Sequence, residues 1–177
     1  TNTNTNTNTN TNTNTNTTTT KNINANTYIL INNKNAVNTN NYLQIKELEV
    51  YANINGVRTN IAALGELHVF SEYNDFHGKT NAIDGLFNTS YYGRGLNNDE
   101  WFKLQFDTIY TIDEIIYYNI SEDDNTNANK ASIGVELEIF NNKTIGNYST
   151  HKLNKNAKQV IQPLNTTGET TTTGMVG

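Results

Sequence analysis

No cysteine occurs anywhere in the chain. Neither a disulfide staple nor a thiolate metal site is therefore available, and folding has to rest on a hydrophobic core. Proline, methionine and tryptophan each occur once, and charged side chains make up only 16% of the residues. Twelve basic residues against seventeen acidic ones leave a net charge of −5, with the lysines and arginines scattered. That pattern lacks the basic footprint a nucleic-acid backbone requires and excludes nucleic acid as a partner. No stretch of about 18 apolar residues exists, so no membrane span is expected. No basic-then-apolar leader precedes the rest, and a chain beginning at Thr1 reads as a processed product or a piece of something longer.

What fills the space left by these absences is uncharged and polar. Hydrophobic residues account for 34% of the 177, low for one domain of ordinary size, and asparagine and threonine make up the difference. The deficit is local. Residues 1–20 read as eight Thr-Asn repeats followed by Thr17 to Thr20. With no apolar group to offset its ordering entropy, such a segment reads as a low-complexity tether. A period of two also matches an extended strand, and sixteen residues so extended reach roughly 53 Å, enough to lie along a neighbouring subunit. Residues 1–41 are assigned to this Thr/Asn-rich arm, although Tyr28-Ile29-Leu30-Ile31 inside it has the composition of a first strand. Residues 166–177 form a Thr/Gly-rich tail.

The interval 42–165 carries the strand patterns. In "LQIKELEVYANING", Leu43 and Ile45 share one parity while Leu48 and Val50 take the other, a slip that a β-bulge would repair. "ELHVF" at 66–70 alternates. "WFKLQF" at 101–106 sets Phe102, Leu104 and Phe106 against Lys103 and Gln105. "TIDEIIYYNI" and "GVELEIF" are two more candidate strands. "AKQVIQPL" contains Pro163 and so must be an edge strand or stop there. No helix longer than a turn or two is indicated. Short strands parted by Gly and Asn turns point to an all-β, antiparallel β-sandwich or barrel.

Catalytic patterns are missing. His68, His77 and His151 lie far apart, and the adjacent acids Asp99-Glu100, Asp113-Glu114 and Glu122-Asp123-Asp124 suit solvated turns. Neither a nucleophile elbow nor a phosphate-cradling glycine loop is present. The expectation is that this is not an enzyme.

One run stands out, "NAIDGLFNTSYYG" at 81–93. Asp84-Gly85 is a turn dipeptide, the aspartate able to accept amide hydrogen bonds from its own loop and the glycine free to adopt positive φ. The order "LQIKELEVYANING", "ALGE", "NAIDGLFNTSYY" and "EWFKLQFDTIYTIDEIIYYN", from Leu43 to Asn119, resembles the discoidin or coagulation factor 5/8 type C domain, a galactose-binding-like family. The resemblance implies a jelly-roll sandwich flanked by low-complexity extensions. It further implies a structural calcium with Asp84 and Thr89 as ligands, oxygen donors suited to a hard cation, and a last acidic ligand for which Glu169 is the nominee. Trp101 resembles the family's buried tryptophan, a core residue and not a sugar platform.

Ligand binding in that family uses loops at one end, with an arginine or histidine for sugar hydroxyls and an aromatic for the apolar sugar face. Tyr73, Phe76, His77, Tyr91, Tyr92 and Arg94 are the candidates here. The family's common arginine after Tyr-Asn is absent, Asn119 being followed by Ile120-Ser121. The expected function is non-enzymatic attachment to a carbohydrate-bearing, glycoprotein or protein surface, in an extracellular or virion-surface setting. The alternative is a structural part of a large assembly, such as a minor capsid protein, with the arm contacting neighbouring subunits. An excess of Asn, Lys, Ile, Tyr and Thr is similar to proteins of AT-rich genomes, large DNA viruses among them.

Overall fold

The computed structural model describes residues 27–36, 42–95, 99–120, 132–140 and 148–163. The expectations for the Thr-Asn repeats, the acidic loop after Ile120, the Thr/Gly tail and Glu169 fall outside these residues.

Strand formation follows the alternation of the sequence. In order, the strands are β1 (Thr27–Asn32), β2 (Gln44–Ile45), β3 (Glu47–Ile54) and β4 (Val57–Asn60). Next come β5 (Glu66–Val69), β6 (Tyr91–Tyr92) and β7 (Trp101–Phe106). The described strands finish with β8 (Ile112–Tyr118), β9 (Glu136–Phe140), β10 (Tyr148–Lys152) and β11 (Lys158–Ile161). Their pairing is antiparallel throughout. One sheet has five strands in the order β10-β9-β1-β7-β5, a second has four in the order β11-β8-β3-β4, and β2 pairs with β6 as a small third. Helical structure among the described residues is limited to short 3₁₀ turns, with three of them at Ala62–Leu64, Asp75–His77 and Lys79–Ala82. No helix among them is long and apolar enough to cross a membrane.

Period-two burial joins the two large sheets. Ile29, Ile31, Phe102, Leu104, Phe106, Leu137 and Ile139 from the five-stranded sheet share one buried cluster with Leu48, Val50, Ala52, Ile112, Ile115, Tyr117 and Ile161 from the other. Each fully buried aliphatic or aromatic side chain of this kind contributes about 1.5–3 kcal/mol, so a two-sheet core carries the fold without any covalent staple. The chain is an all-β antiparallel sandwich, as its alternation indicates. β11 stops at Ile161, two residues before Pro163, and lies at a sheet edge, where a residue without an amide hydrogen does no harm.

Two boundaries differ from the sequence reading. β1, assigned to the Thr/Asn arm, is the central strand of the five-stranded sheet, with Ile29 and Ile31 fully buried between β9 and β7. The globule therefore includes Thr27–Asn32 and does not start at Tyr42, because two buried isoleucines outweigh the polar residues around them. The phase slip expected between Ile45 and Leu48 is not a simple bulge. The chain bends at Lys46, leaves the small β2–β6 sheet and enters the four-stranded one. Glu47, which keeps the inward parity of Leu43 and Ile45, is consequently buried beside Leu48.

Candidate functional site

The segment from Phe70 to Glu100 leaves β5 and returns as β7, and these strands are neighbours with Val69 opposite Phe102. Both ends of this long connection therefore sit at one end of the sandwich, where β3 also begins and β8 finishes with Glu47 opposite Tyr118. The run 81–93 lies within it.

Its turn is built from its own side chains. Gly85 takes φ 76°, in the left-handed region. The Asp84 carboxylate accepts from the Leu86 amide at 2.8 Å and from the Thr89 hydroxyl at 2.9 Å, and that hydroxyl also lies 2.9 Å from the Leu86 carbonyl. Phe87 packs edge-on against Tyr118, their ring centres 4.8 Å apart, pinning the turn to the end of β8. The Gly85 amide donates to the Glu47 carboxylate at 3.2 Å. Glu47 is 1% exposed. Burial pushes its pKa up to about 8, the carboxylates of Asp84 and Glu49 add to the rise, and the Gly85 amide opposes it.

Calcium takes six to eight oxygen ligands. The structure brings Asp84 and Thr89 together, as the resemblance implies, yet each already satisfies the other. Among the described residues no three His, Cys, Asp or Glu side chains are grouped to hold a metal. Asp84, Thr89 and local carbonyls are what this turn itself could offer a hard cation.

The second feature is a chain of aromatic rings. His77 stacks on Tyr92 with centroids 4.2 Å apart and planes 18° from parallel. Tyr73 meets His77 edge-on at 6.1 Å, and Tyr42 meets Tyr73 edge-on at 6.3 Å. Asn74 fixes the histidine: its side-chain oxygen accepts from the amides of Phe76 and His77 at 3.0 and 3.1 Å and lies 2.8 Å from His77 Nδ1. A proton on Nδ1 makes Nε2 of the neutral ring an acceptor. Phe76, at the crest of the same turn, is 86% exposed. Asn81 ties this loop to the next by donating to the carbonyls of Phe76 and Ser90 at 2.8 and 3.2 Å.

Arg94 is anchored through both backbone and side chain, its amide donating to Ser71 Oγ and its guanidinium Nε to the Glu72 carbonyl, each at 2.9 Å. Behind it lies Glu100, fully buried. Ser71 Oγ is 2.7 and 2.8 Å from the two oxygens of its carboxylate, and the Gly95 amide donates to it at 3.1 Å. The loop bearing Tyr92 and Arg94 is thus held from below by a buried acidic side chain with fixed hydrogen-bond partners.

Of the six nominated ligand residues, Tyr73, Phe76, His77 and Tyr92 form or flank this ring cluster, and Arg94 borders it through Glu72 and Ser71. Tyr91 does not belong to it. The ring is fully buried against Phe102, and its hydroxyl donates to the Ser71 carbonyl at 2.8 Å. Burial, with Glu100 and Glu72 near, pushes its phenol up and keeps it a donor. Consecutive strand residues face opposite ways, so one tyrosine of the pair had to point inward.

Trp101 also departs from expectation. It is half-buried, not core, because Phe102, Leu104 and Phe106 occupy the inward phase of β7. Tyr42, Glu47 and Glu100 are participants that the sequence reading missed. The parity of Glu47 was a usable signal; Tyr42 and Glu100 gave none, since their partners are distant in sequence. Set against family models, curated proteins and solved structures, the chain matches none of them.

Proposed function

We propose that this protein is a non-enzymatic surface-binding module that recognises carbohydrate on a glycoprotein or cell surface through the loops at the Asp84 end of its sandwich. The observation that carries this reading is the ring series Tyr42, Tyr73, His77 and Tyr92, with Phe76 projecting beside it at 86% exposure. Exposed Tyr73 and Phe76 and the half-buried rings of Tyr42, His77 and Tyr92, in a segment held by Asn74, Asn81 and Glu100, present an apolar surface whose ordering cost is already met. A sugar offers such a surface an apolar C–H face, and its hydroxyls find His77 and the Arg94 guanidinium. A cleft of about 240 Å³ lined by Lys46, Asn88, Ser90 and Tyr92 adjoins the rings. It is smaller than the ~300–1,000 Å³ typical of drug-sized ligands and suits a single protruding residue of a larger partner. The order of motifs shared with discoidin-type domains supports the same reading.

A ligand that prefers the native state raises the melting temperature by mass action. The expected result is a shift with a galactose-type or fucose-type sugar that Phe76→Ala and His77→Ala remove. A flat response across a panel of neutral and fucosylated glycans would overturn the proposal. Calcium belongs to it as a clamp on the Asp84 and Thr89 oxygens. Chelation then lowers the melting temperature of the wild type and leaves Asp84→Ala unchanged; equal melts with and without chelator remove the metal from the proposal.

A further inference from the structure

We infer that the outer face of the five-stranded sheet holds a second binding site, a groove over Trp101 that takes a neutral oligosaccharide. The one residue it shares with the loop cluster is Glu100, whose carboxylate is engaged by Ser71 and Gly95, and it does not depend on the reading given to that cluster.

The groove encloses about 710 Å³, within the range of small-molecule and sugar sites. It is built on β7, β1 and β9, three adjacent strands in the middle of the sheet. Register sets two rows across them. Trp101 stands opposite Asn32 and Asn32 opposite Glu136; Lys103 stands opposite Leu30 and Leu30 opposite Glu138. Because the inward phase of each strand is taken by core residues, all six side chains face outward together. A platform on central strands is stiffer than one on loops, which favours precise placement of ligand groups.

Its chemistry is that of a sugar site. Trp101 and Leu30 supply an apolar floor for the C–H face of a pyranose ring. Around them, the Asn32 amide donates to Glu138 at 3.3 Å and the Asn35 amide to Glu136 at 2.9 Å. These pairs hold each carboxylate in place while its other lone pairs can accept from adjacent hydroxyls, the arrangement that vicinal hydroxyls require. Asp99 adds a third carboxylate at the rim, and Lys34 and Lys103 supply two ammonium groups.

Charge narrows the ligand class. Three carboxylates against two ammonium groups disfavour phosphate, sulfate and uronic acids. The two lysines in turn oppose a cationic peptide. The Glu100 carboxylate does not enter this balance, since it is engaged by Ser71 and Gly95. A wholly apolar partner would have to strip water from every one of these groups. A neutral, hydroxyl-rich chain meets both the floor and the rim.

Trp101 is the only tryptophan in the sequence, so intrinsic tryptophan fluorescence reports this groove and no other site. The whole chain is titrated with neutral tetrasaccharides of glucose, galactose and N-acetylglucosamine, with a tetralysine peptide in parallel. A saturable change with at least one sugar is expected, weakened about tenfold by Glu136→Ala through loss of a charge-assisted hydrogen bond. It should persist in Phe76→Ala, which separates it from the loop site. Fluorescence unmoved by every sugar at millimolar concentration overturns the inference. So does a response to tetralysine alone, or a sugar response that Phe76→Ala abolishes and Glu136→Ala leaves intact.

Discussion

The amide of Gly85 donates to the carboxylate of Glu47 at 3.2 Å, across 38 positions of sequence, and the acceptor is a group held almost entirely away from water. The bond ties the Asp84 turn to the first residue of β3, and burial makes it depend on protonation.

Glu47 has its folded pKa raised from 4.5 to about 8. A group raised on folding contributes its stability fully below the unfolded value and loses it as pH climbs through the folded one. Stability should therefore fall between pH 4.5 and about 8, by at most ~5 kcal/mol at full deprotonation. His151, lowered by burial, acts with the opposite sign, so the comparison with Glu47→Gln isolates the effect. Urea midpoints across this window should be flatter in the variant, and at the alkaline end the variant should equal or exceed the wild type. Parallel curves would show that Glu47 does not titrate as stated.

Glycine is required at two close approaches. A Cβ at Gly93 would stand 2.5 Å from Glu100 Oε2, an atom fixed by its own hydrogen bonds, and one at Gly65 would stand 2.4 Å from Leu104 Cδ1. Gly93→Ala and Gly65→Ala should each lower stability by about 1–3 kcal/mol in denaturant unfolding, the cost of overpacking. Gly56→Ala, whose Cβ meets nothing within 4 Å, should show only the smaller strain of its positive φ.

Tyr91 and Tyr92 are neighbours with opposite duties. Tyr91→Phe strands the Ser71 carbonyl and should cost about 1–2 kcal/mol without altering a ligand response at the loop end. Tyr92→Ala should do the reverse, sparing most of the stability while removing the face on which His77 stacks. Thermal melts with and without ligand separate the two.

Asn74 is the cap of the Asp75–His77 turn and the partner of His77 Nδ1. Asn74→Ala should cost about 1 kcal/mol, as losses of side-chain caps do. The loop should also open to limited proteolysis near Phe76. An unchanged cleavage pattern would mean that Asn81 alone holds it.

The strands with clean alternation were legible because period two and burial are the same fact read twice: Phe102, Leu104 and Phe106, or Leu137 and Ile139. β4 and β10 were not. Both lie at sheet edges, where few positions need be apolar and the pattern fades. β1 was half legible, its Tyr28–Ile31 run visible but outvoted by asparagine on either side. Trp101 shows the hazard of borrowing a role from a resemblance, since the phase of its own strand had already placed it with Lys103 and Gln105. Tyr73, Phe76, His77 and Tyr92, nominated from the 70–95 segment, lie together because Asn74 and Asn81 fold that segment on itself. Glu47 was legible only through its parity with Leu43 and Ile45, and Glu100 was not, since its carboxylate is bound by Ser71, 29 positions away.

The middle place of β1 has a cost in time. Its two partners are β7 and β9, and about 100 residues separate Asn32 from Glu136. At ribosomal rates of ~5–20 residues per second, β1 waits roughly 5–20 s for its second neighbour, and the rim that β9 will cover stays open after β7 has been made. A nascent polypeptide of this design is most prone to aggregate while its earliest apolar segment is already made and its last third is still to come.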